Sequence, residues 1–189
     1  ELGRRLGMAR QDFEVLSRVW SHAGISIRRK LDILDSCVVS KLLYGLYTAC
    51  FCKADLRRLD GFYVRCLRRV LRIPHAYYSR ISNDTVLRRA RRTKLSNRLQ
   101  QQQLMFLGKA ARRDDDDPVR CCIFERGALT ERAPGALRRG RPRKSWTAAV
   151  CKTASEIAGT PEAFSSLMAR TALADRAWRT AVRRYHNNL

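Results

Sequence analysis

Acidic side chains and prolines are scarce in this sequence, with 17 Asp and Glu and 5 Pro in 189 residues. So few acids leave 39 Lys and Arg unbalanced, and the formal net charge is +22. So few prolines let long stretches run as helix. The longest apolar run, Leu42 to Cys52, falls short of the roughly 20 residues a membrane helix needs, so no membrane partner is expected. The N-terminal run ELGRRLGMARQ lacks the apolar segment and small-residue cleavage site of a secretory leader. The chain opens on Glu1 and its first Met is Met8, so a piece of a longer protein is expected. No phosphate-cradling GxxxxGK[ST] loop and no GxGxxG turn occurs.

No cysteine pair has CxxC spacing among the seven, at positions 37, 50, 52, 66, 121, 122 and 151. Cys50, Cys52, Cys66 and His75 can be imagined as a zinc set, but zinc favours ligand pairs separated by two to four residues. Buried reduced thiols are expected instead, in a reducing compartment, nuclear or cytoplasmic.

What is abundant is arginine, 32 against 7 Lys. Guanidinium forks stay ionised and match phosphate in two-pronged geometry, so a polyanionic partner is expected. With 45% hydrophobic residues a chain of this length can still build a core.

The apolar periodicity is helical almost throughout. Leu2, Leu6, Ala9, Phe13, Leu16 and Trp20 share one face of a first helix, which His22-Ala23-Gly24 ends. Ser26 caps a second helix, predicted to run to about Cys52 with Gly45 as a weak point. The clearest helix spans Asp55 to Arg72. Its apolar residues fill one half, while Arg57, Arg58, Arg65, Arg68, Arg69 and Arg72 crowd into an arc of about 120°. Solvated helix faces normally mix signs, so six like charges repel one another unless something anionic covers them. Either nucleic-acid phosphates or an acidic surface on a neighbouring domain would do so. From Ala54 to Arg113 there are 16 Lys and Arg against three acids.

Ile73-Pro74 breaks that helix; a short one starts at Ser82-Asn83, and another runs from about Lys94 to Arg113. Asp114 to Asp117 stop it. These four aspartates invite a Mg²⁺ hypothesis, but adjacent residues do not converge on one ion. A solvated acidic loop paired with Arg112 and Arg113 is expected. The histidines His22, His75 and His186 fall at helix ends or breaks, and no nucleophile stands in a dyad context. No self-sufficient catalytic site is expected in this chain.

The segment 127–144 reads as a basic Gly- and Pro-containing linker. Within it Arg139, Gly140, Arg141, Pro142, Arg143 and Lys144 have the composition of a minor-groove hook. Gly lets the backbone approach the groove floor, Pro holds an extended path, and Arg enters the narrow electronegative groove. A plain solvated linker and a nuclear-localisation tract are the alternatives. Helices resume at Ser145 to Ala158, at Thr160-Pro161 and at Leu173 to His186. The fold class expected is all-α: a multi-helix bundle over 1–126, the linker 127–144, and a smaller C-terminal helical unit over 145–189.

The runs KLDILDSCVVSKLLYGLYTA (Lys30 to Ala49) and RLDGFYVRCLRRVLRI (Arg58 to Ile73) resemble non-LTR, LINE-type retrotransposon reverse transcriptases, in the region just after the polymerase palm. YYSRISNDTVL (Tyr77 to Leu87), LMFLGKAARRDDDDP (Leu104 to Pro118), GRPRKSW (Gly140 to Trp146) and ADRAWRTAV (Ala174 to Val182) follow in the same order. The resemblance covers nearly the whole chain. It departs at Lys109, where relatives often have His after Leu-Gly, and at the C-terminus, where no Cys/His knuckle can be placed.

The resemblance implies the C-terminal, nucleic-acid-gripping part of an RNA-directed DNA polymerase, with thumb-like first helices holding a template–primer duplex and contacting target DNA. The palm and fingers, the Tyr/Phe-x-Asp-Asp turn and its two Mg²⁺ ions would belong to the upstream part of the same polyprotein. No cofactor and no catalytic residue are expected in this chain, and Asp114 to Asp117 do not match that turn. A free-standing minor-groove DNA-binding module, or an inactive transposon relic, would carry the same composition.

Overall fold

A computed structural model describes residues 1–132 and 145–187 of the chain. Among these residues the architecture is all-α. The only extended pairing among them is an isolated antiparallel bridge between Phe124 and Glu131. No helix among them is long and apolar enough to cross a membrane.

The helices are α1 (Leu2–Val15), α2 (Ser17–Ser21), α3 (Ile27–Ile33), α4 (Ser40–Leu43), α5 (Lys53–Val70), α6 (Ala76–Ser79) and α7 (Asn83–Ala90). They continue as α8 (Leu95–Ala111), α9 (Pro118–Ile123), α10 (Trp146–Ala158), α11 (Pro161–Leu167) and α12 (Ala172–Asn187). Several begin where a side-chain oxygen satisfies an otherwise orphaned backbone donor. Ser26 Oγ accepts from Arg29 N–H, Ser82 Oγ from Thr85, Ser145 Oγ from Ala148, and Thr160 Oγ1 from Ala163. At α5 the Asp55 carboxylate accepts from both the Cys52 backbone N–H and its thiol. The thiol hydrogen bond is the main cause that lowers the Asp55 pKa.

The second predicted helix is shorter than expected and is not uniform. α3 passes into a π-helical turn over Leu34–Val39, and α4 ends at Leu43 rather than near Cys52. One extra residue in a turn offsets the side-chain register by about 100°. Leu31, Leu34, Val38, Val39, Leu42 and Leu43 are all buried across this stretch. Gly45, at φ +70°, then takes the left-handed conformation that ends the run, which a Cβ would oppose.

The chain forms two compact units. The first comprises 1–46 and 51–99, the second 47–50 and 100–189. The boundary therefore falls within α8, not at the predicted linker 127–144. The reason is the apolar face of α8. Leu104, Leu107, Ala110 and Ala111 share one core with Val150, Ala154, Phe164, Met168, Trp178 and Val182. The residues 47–50 belong there because Tyr47 and Ala49 carbonyls accept from Trp146 Nε1 at 2.8 Å and Gln103 Nε2 at 3.1 Å.

Polar side chains complete each unit. In the first, Asp35 in the π turn accepts from Arg92 Nε at 2.8 Å, Arg98 Nη1 at 2.7 Å and the Tyr63 hydroxyl at 3.3 Å. Burial, and then the Asp35 charge, push the Tyr63 pKa up. In the same unit Lys30 is buried with no acidic partner among the described residues, and it donates to the carbonyls of Trp20 at 2.9 Å and His22 at 2.7 Å. It thereby closes the C-terminal end of α2, where carbonyls lack intrahelical donors and attract positive charge. Replacing Lys30 with Met keeps the stem but strands two carbonyls, and should cost about 1–3 kcal/mol in a urea melt.

In the second unit Arg112 plays the corresponding part. Its guanidinium donates to the carbonyls of Gly108, Leu167, Ala169 and Ala174 and pairs with Asp175 at 3.2 Å. It ties the end of α8 to the end of α11 and the start of α12.

Candidate nucleic-acid interface

α5 carries the predicted arginine arc, and the structure sorts its members. At 100° per residue, Arg58, Arg65, Arg69 and Arg72 fall within about 60° of one another. All four are exposed, as is Arg57 at the rim of the arc. Arg57 and Arg65 have no ion-pair partner among the described residues. Arg58 lies 3.7 Å from Asp55, and Arg69 pairs with Glu14 at 2.5 Å while its guanidinium lies over the Phe13 ring.

Arg68 departs from the expected face. It is 6% exposed. Its guanidinium donates to the carbonyls of Pro74 at 3.1 Å and Ile81 at 2.6 Å, to Ser79 Oγ at 3.3 Å and to Asn83 Oδ1 at 3.2 Å. Lying at the edge of the arc, it is covered by the chain after Pro74, which turns back over that edge. Arg68 is thus an internal fastener of residues 74–83, with its fork already filled.

The exposed arginines of α5 are joined by two from α1 and α2 that periodicity did not single out. One depression is lined by Arg10, Phe13, Glu14, Phe62, Arg65, Cys66 and Arg69. A second is lined by Ser17, Arg18, Trp20, Ser21, Arg69 and Arg72. Arg69 belongs to both, so Arg10, Arg65, Arg69, Arg72 and Arg18 form one continuous basic strip with Glu14 as the acid within it. From Arg65 to Arg72 the helix rises about 10 Å at 1.5 Å per residue. Arg72 Nη2 donates to the Ser21 carbonyl at 3.0 Å, which holds the guanidinium across the second depression and leaves most of its donors unused. Burial pushes the Cys66 thiol at the floor up to about 12, so it adds no negative charge there.

Backbone conformation marks the same unit. Among the described residues, those other than glycine with positive φ are Arg72 at 55°, Arg80 at 53° and Arg91 at 51°. Arg72 closes α5 in a Schellman motif, with Ile73 N–H donating to the Arg68 carbonyl at 2.8 Å and Arg72 N–H to that of Arg69 at 3.2 Å. Arg91 closes α7 the same way on Leu87 and Arg88. Glycine is the residue that takes this position without strain, whereas a side chain there costs about 1–2 kcal/mol. Three exposed arginines hold such positions.

No family model matches the chain, and no curated protein or solved structure matches it.

The other candidates resolve differently. Arg139, Gly140, Arg141, Pro142, Arg143 and Lys144 lie outside the described residues. Asp114 to Asp117 are each engaged by arginine: Arg170 with Asp114 and Asp115, Arg120 with Asp115, Arg126 with Asp116 and Arg113 with Asp117. Arg113 was an expected partner, whereas Arg112 turns to Asp175 instead. Burial opposes the charge on Asp117, but the Arg113 hydrogen bond and the N–H groups of Val119 and Arg120 outweigh it and lower its pKa. Asp117 also caps α9.

The expectation of buried thiols holds for Cys66; Cys37, Cys50, Cys52 and Cys122 are exposed, and Cys121 and Cys151 lie between. Among the described residues no group of three His, Cys, Asp or Glu side chains is placed to hold a metal ion. His22 and His75 stand at helix ends, and each ring Nδ1 accepts a backbone N–H two residues on. His186 is buried in α12 with Nδ1 2.9 Å from the Val182 carbonyl oxygen.

Proposed function

We propose that this chain grips a nucleic-acid duplex through its phosphates, as the non-catalytic C-terminal part of an RNA-directed DNA polymerase of the non-LTR type. The observation that carries the proposal is the strip of Arg10, Arg65, Arg69, Arg72 and Arg18, which runs across α1, α2 and α5 with one acid in it. A face of this kind repels itself in isolation and is relieved by a polyanion. Guanidinium contacts to phosphate hold a duplex in register without reading its bases, which suits a polymerase that must slide along its product. The assignment to that polymerase class rests on the ordered sequence resemblance. In this reading nucleotide chemistry and its Mg²⁺ ions belong to the palm, and this chain supplies grip.

The test is a titration of the full chain with A·T-rich and G·C-rich duplexes of equal length at several salt concentrations. Replacing Arg18, Arg65 and Arg72 together with Gln should weaken both duplexes alike and reduce the slope of log affinity against log salt by about 3. None of the three has an acidic partner among the described residues, so the variant is expected to keep its fold. An unchanged affinity and slope in this variant would show that the strip is not the duplex-binding face.

A further inference from the structure

Tyr77 and Tyr78 are 69% and 79% exposed, and their rings meet edge to face, 5.4 Å apart at 87°. Large aromatic surface is seldom left in water in adjacent pairs, and here the mounting is stiff. The segment that bears them, α6, is a single turn. The segment is held by Arg68, which donates to the backbone carbonyls of Pro74 and Ile81 and to the side chains of Ser79 and Asn83, on both sides of the pair. His75 Nδ1 accepts from Tyr77 N–H at 3.3 Å at its start. At its end Arg80 takes the left-handed conformation, and its guanidinium lies over the Tyr77 ring, 5.4 Å from the centroid. Arg80 has no acidic partner among the described residues, and no Asp or Glu occurs between Asp60 and Asp84. Two exposed rings and a cation stacked on one of them are therefore fixed on one short element.

We infer that Tyr77, Tyr78 and Arg80 form a stacking site for unpaired nucleobases, so that the chain holds a single-stranded stretch of nucleic acid as well as a duplex. The inference rests on the proposed nucleic-acid role and adds a second, chemically different contact to it. A base presents a π-face to an aromatic ring whatever its identity, and the guanidinium serves both as a stacking plane and as a phosphate partner. The duplex strip cannot do this, because paired bases keep their faces covered. Arg80 also explains its own backbone: glycine would relieve the left-handed strain at position 80 but remove the stacked cation. Arg68 serves as a positioning residue, since it holds the segment and touches no ligand itself.

The experiment uses the full chain with two probes, a single-stranded oligonucleotide carrying 2-aminopurine and a blunt duplex. Stacking should quench the 2-aminopurine emission on binding to the wild type. The double variant Y77A/Y78A should bind the single strand about 10-fold or more weakly and lose the quenching, since each stacked base contributes on that scale. It should bind the duplex as the wild type does. Y77F/Y78F, which keeps the rings, should retain both single-strand affinity and quenching. R80G should melt no lower than the wild type while binding the single strand more weakly, a combination that a purely structural Arg80 does not produce. Single-strand affinity and quenching that survive Y77A/Y78A overturn the inference, and point to another occupant of this pair such as a protein surface. A wild type that binds neither probe overturns the underlying nucleic-acid reading instead, so the two failures are distinguishable.

Discussion

Raising the salt from about 50 to about 200 mM is expected to weaken binding of a short duplex to this chain about 500-fold. The figure follows from the strip of Arg10, Arg18, Arg65, Arg69 and Arg72. Each phosphate neutralised releases condensed counterions, giving a slope of about −0.9 per contact, or about −4.5 for five. A fourfold rise in salt then lowers log affinity by about 2.7. Arg69 tests the count, because it already has Glu14 at 2.5 Å. Should Arg69 stay with Glu14, the slope falls by about one and the loss to about 150-fold. E14Q would then free the guanidinium and restore the steeper dependence, which separates the pair from the unpaired arginines. The measurement is a fluorescence-anisotropy titration across that salt range. A flat salt response would mean that phosphates are not what the arginines meet, and would favour an acidic protein surface.

The strip is built by tertiary contacts, and this decides how much of it was legible in sequence. α5 could be read directly, since its period and its arginine arc are properties of one uninterrupted helix. The same is true of the capping residues Ser26, Ser82, Ser145 and Thr160, whose hydroxyls reach only three residues along the chain. Arg68 could not be read this way, because what covers it is the later segment 74–83. A helical wheel knows nothing of a chain that folds back over its edge.

Arg10 and Arg18 were missed for the converse reason. Each stands alone on its own helix and gains meaning only beside Arg65, Arg69 and Arg72. The π turn at Leu34–Val39 was hidden because apolar residues are so dense there that several registers bury them equally well. The unit boundary misled for a simpler reason. Gly and Pro mark where a chain can turn, whereas α8 is divided because its C-terminal part packs into the core of the second unit. For the aspartates at 114–117, solvated loop chemistry was anticipated; their arginine partners at 120, 126 and 170 come from separate elements.

Gly108 shows the same dependence on distant contacts with the largest expected effect on stability. In an exposed helix interior, replacing Gly with Ala stabilises by about 1 kcal/mol, because the backbone loses less entropy on ordering. Here the sign should reverse. A Cβ at position 108 would stand 2.5 Å from both Cδ1 and Nε1 of Trp178 and 3.1 Å from Arg112 Nη1. The indole is not free to yield. Trp178 is 1% exposed, and its indole N–H donates to the Leu104 carbonyl at 3.0 Å. Arg112 Nη1 donates to the Gly108 carbonyl itself at 2.7 Å. Overpacking of this kind costs about 1–3 kcal/mol. Losing the indole hydrogen bond costs about a further 1 kcal/mol. Set against the gain in helix propensity, Gly108→Ala should destabilise by about 2 kcal/mol. Trp178→Ala alone should cost about 3–5 kcal/mol, because it empties the centre of the second core. The double variant is the decisive member of the cycle. With the indole gone, the Cβ at 108 meets only Arg112 Nη1 at 3.1 Å, the end of a flexible side chain, and the propensity gain reappears, so Gly108→Ala should stabilise the Trp178→Ala background by up to about 1 kcal/mol. Urea denaturation followed by far-ultraviolet circular dichroism measures all four proteins on one scale. Simple additivity across the cycle would show that Gly108 is not kept small by Trp178, and that the seat of this indole against α8 is wrong.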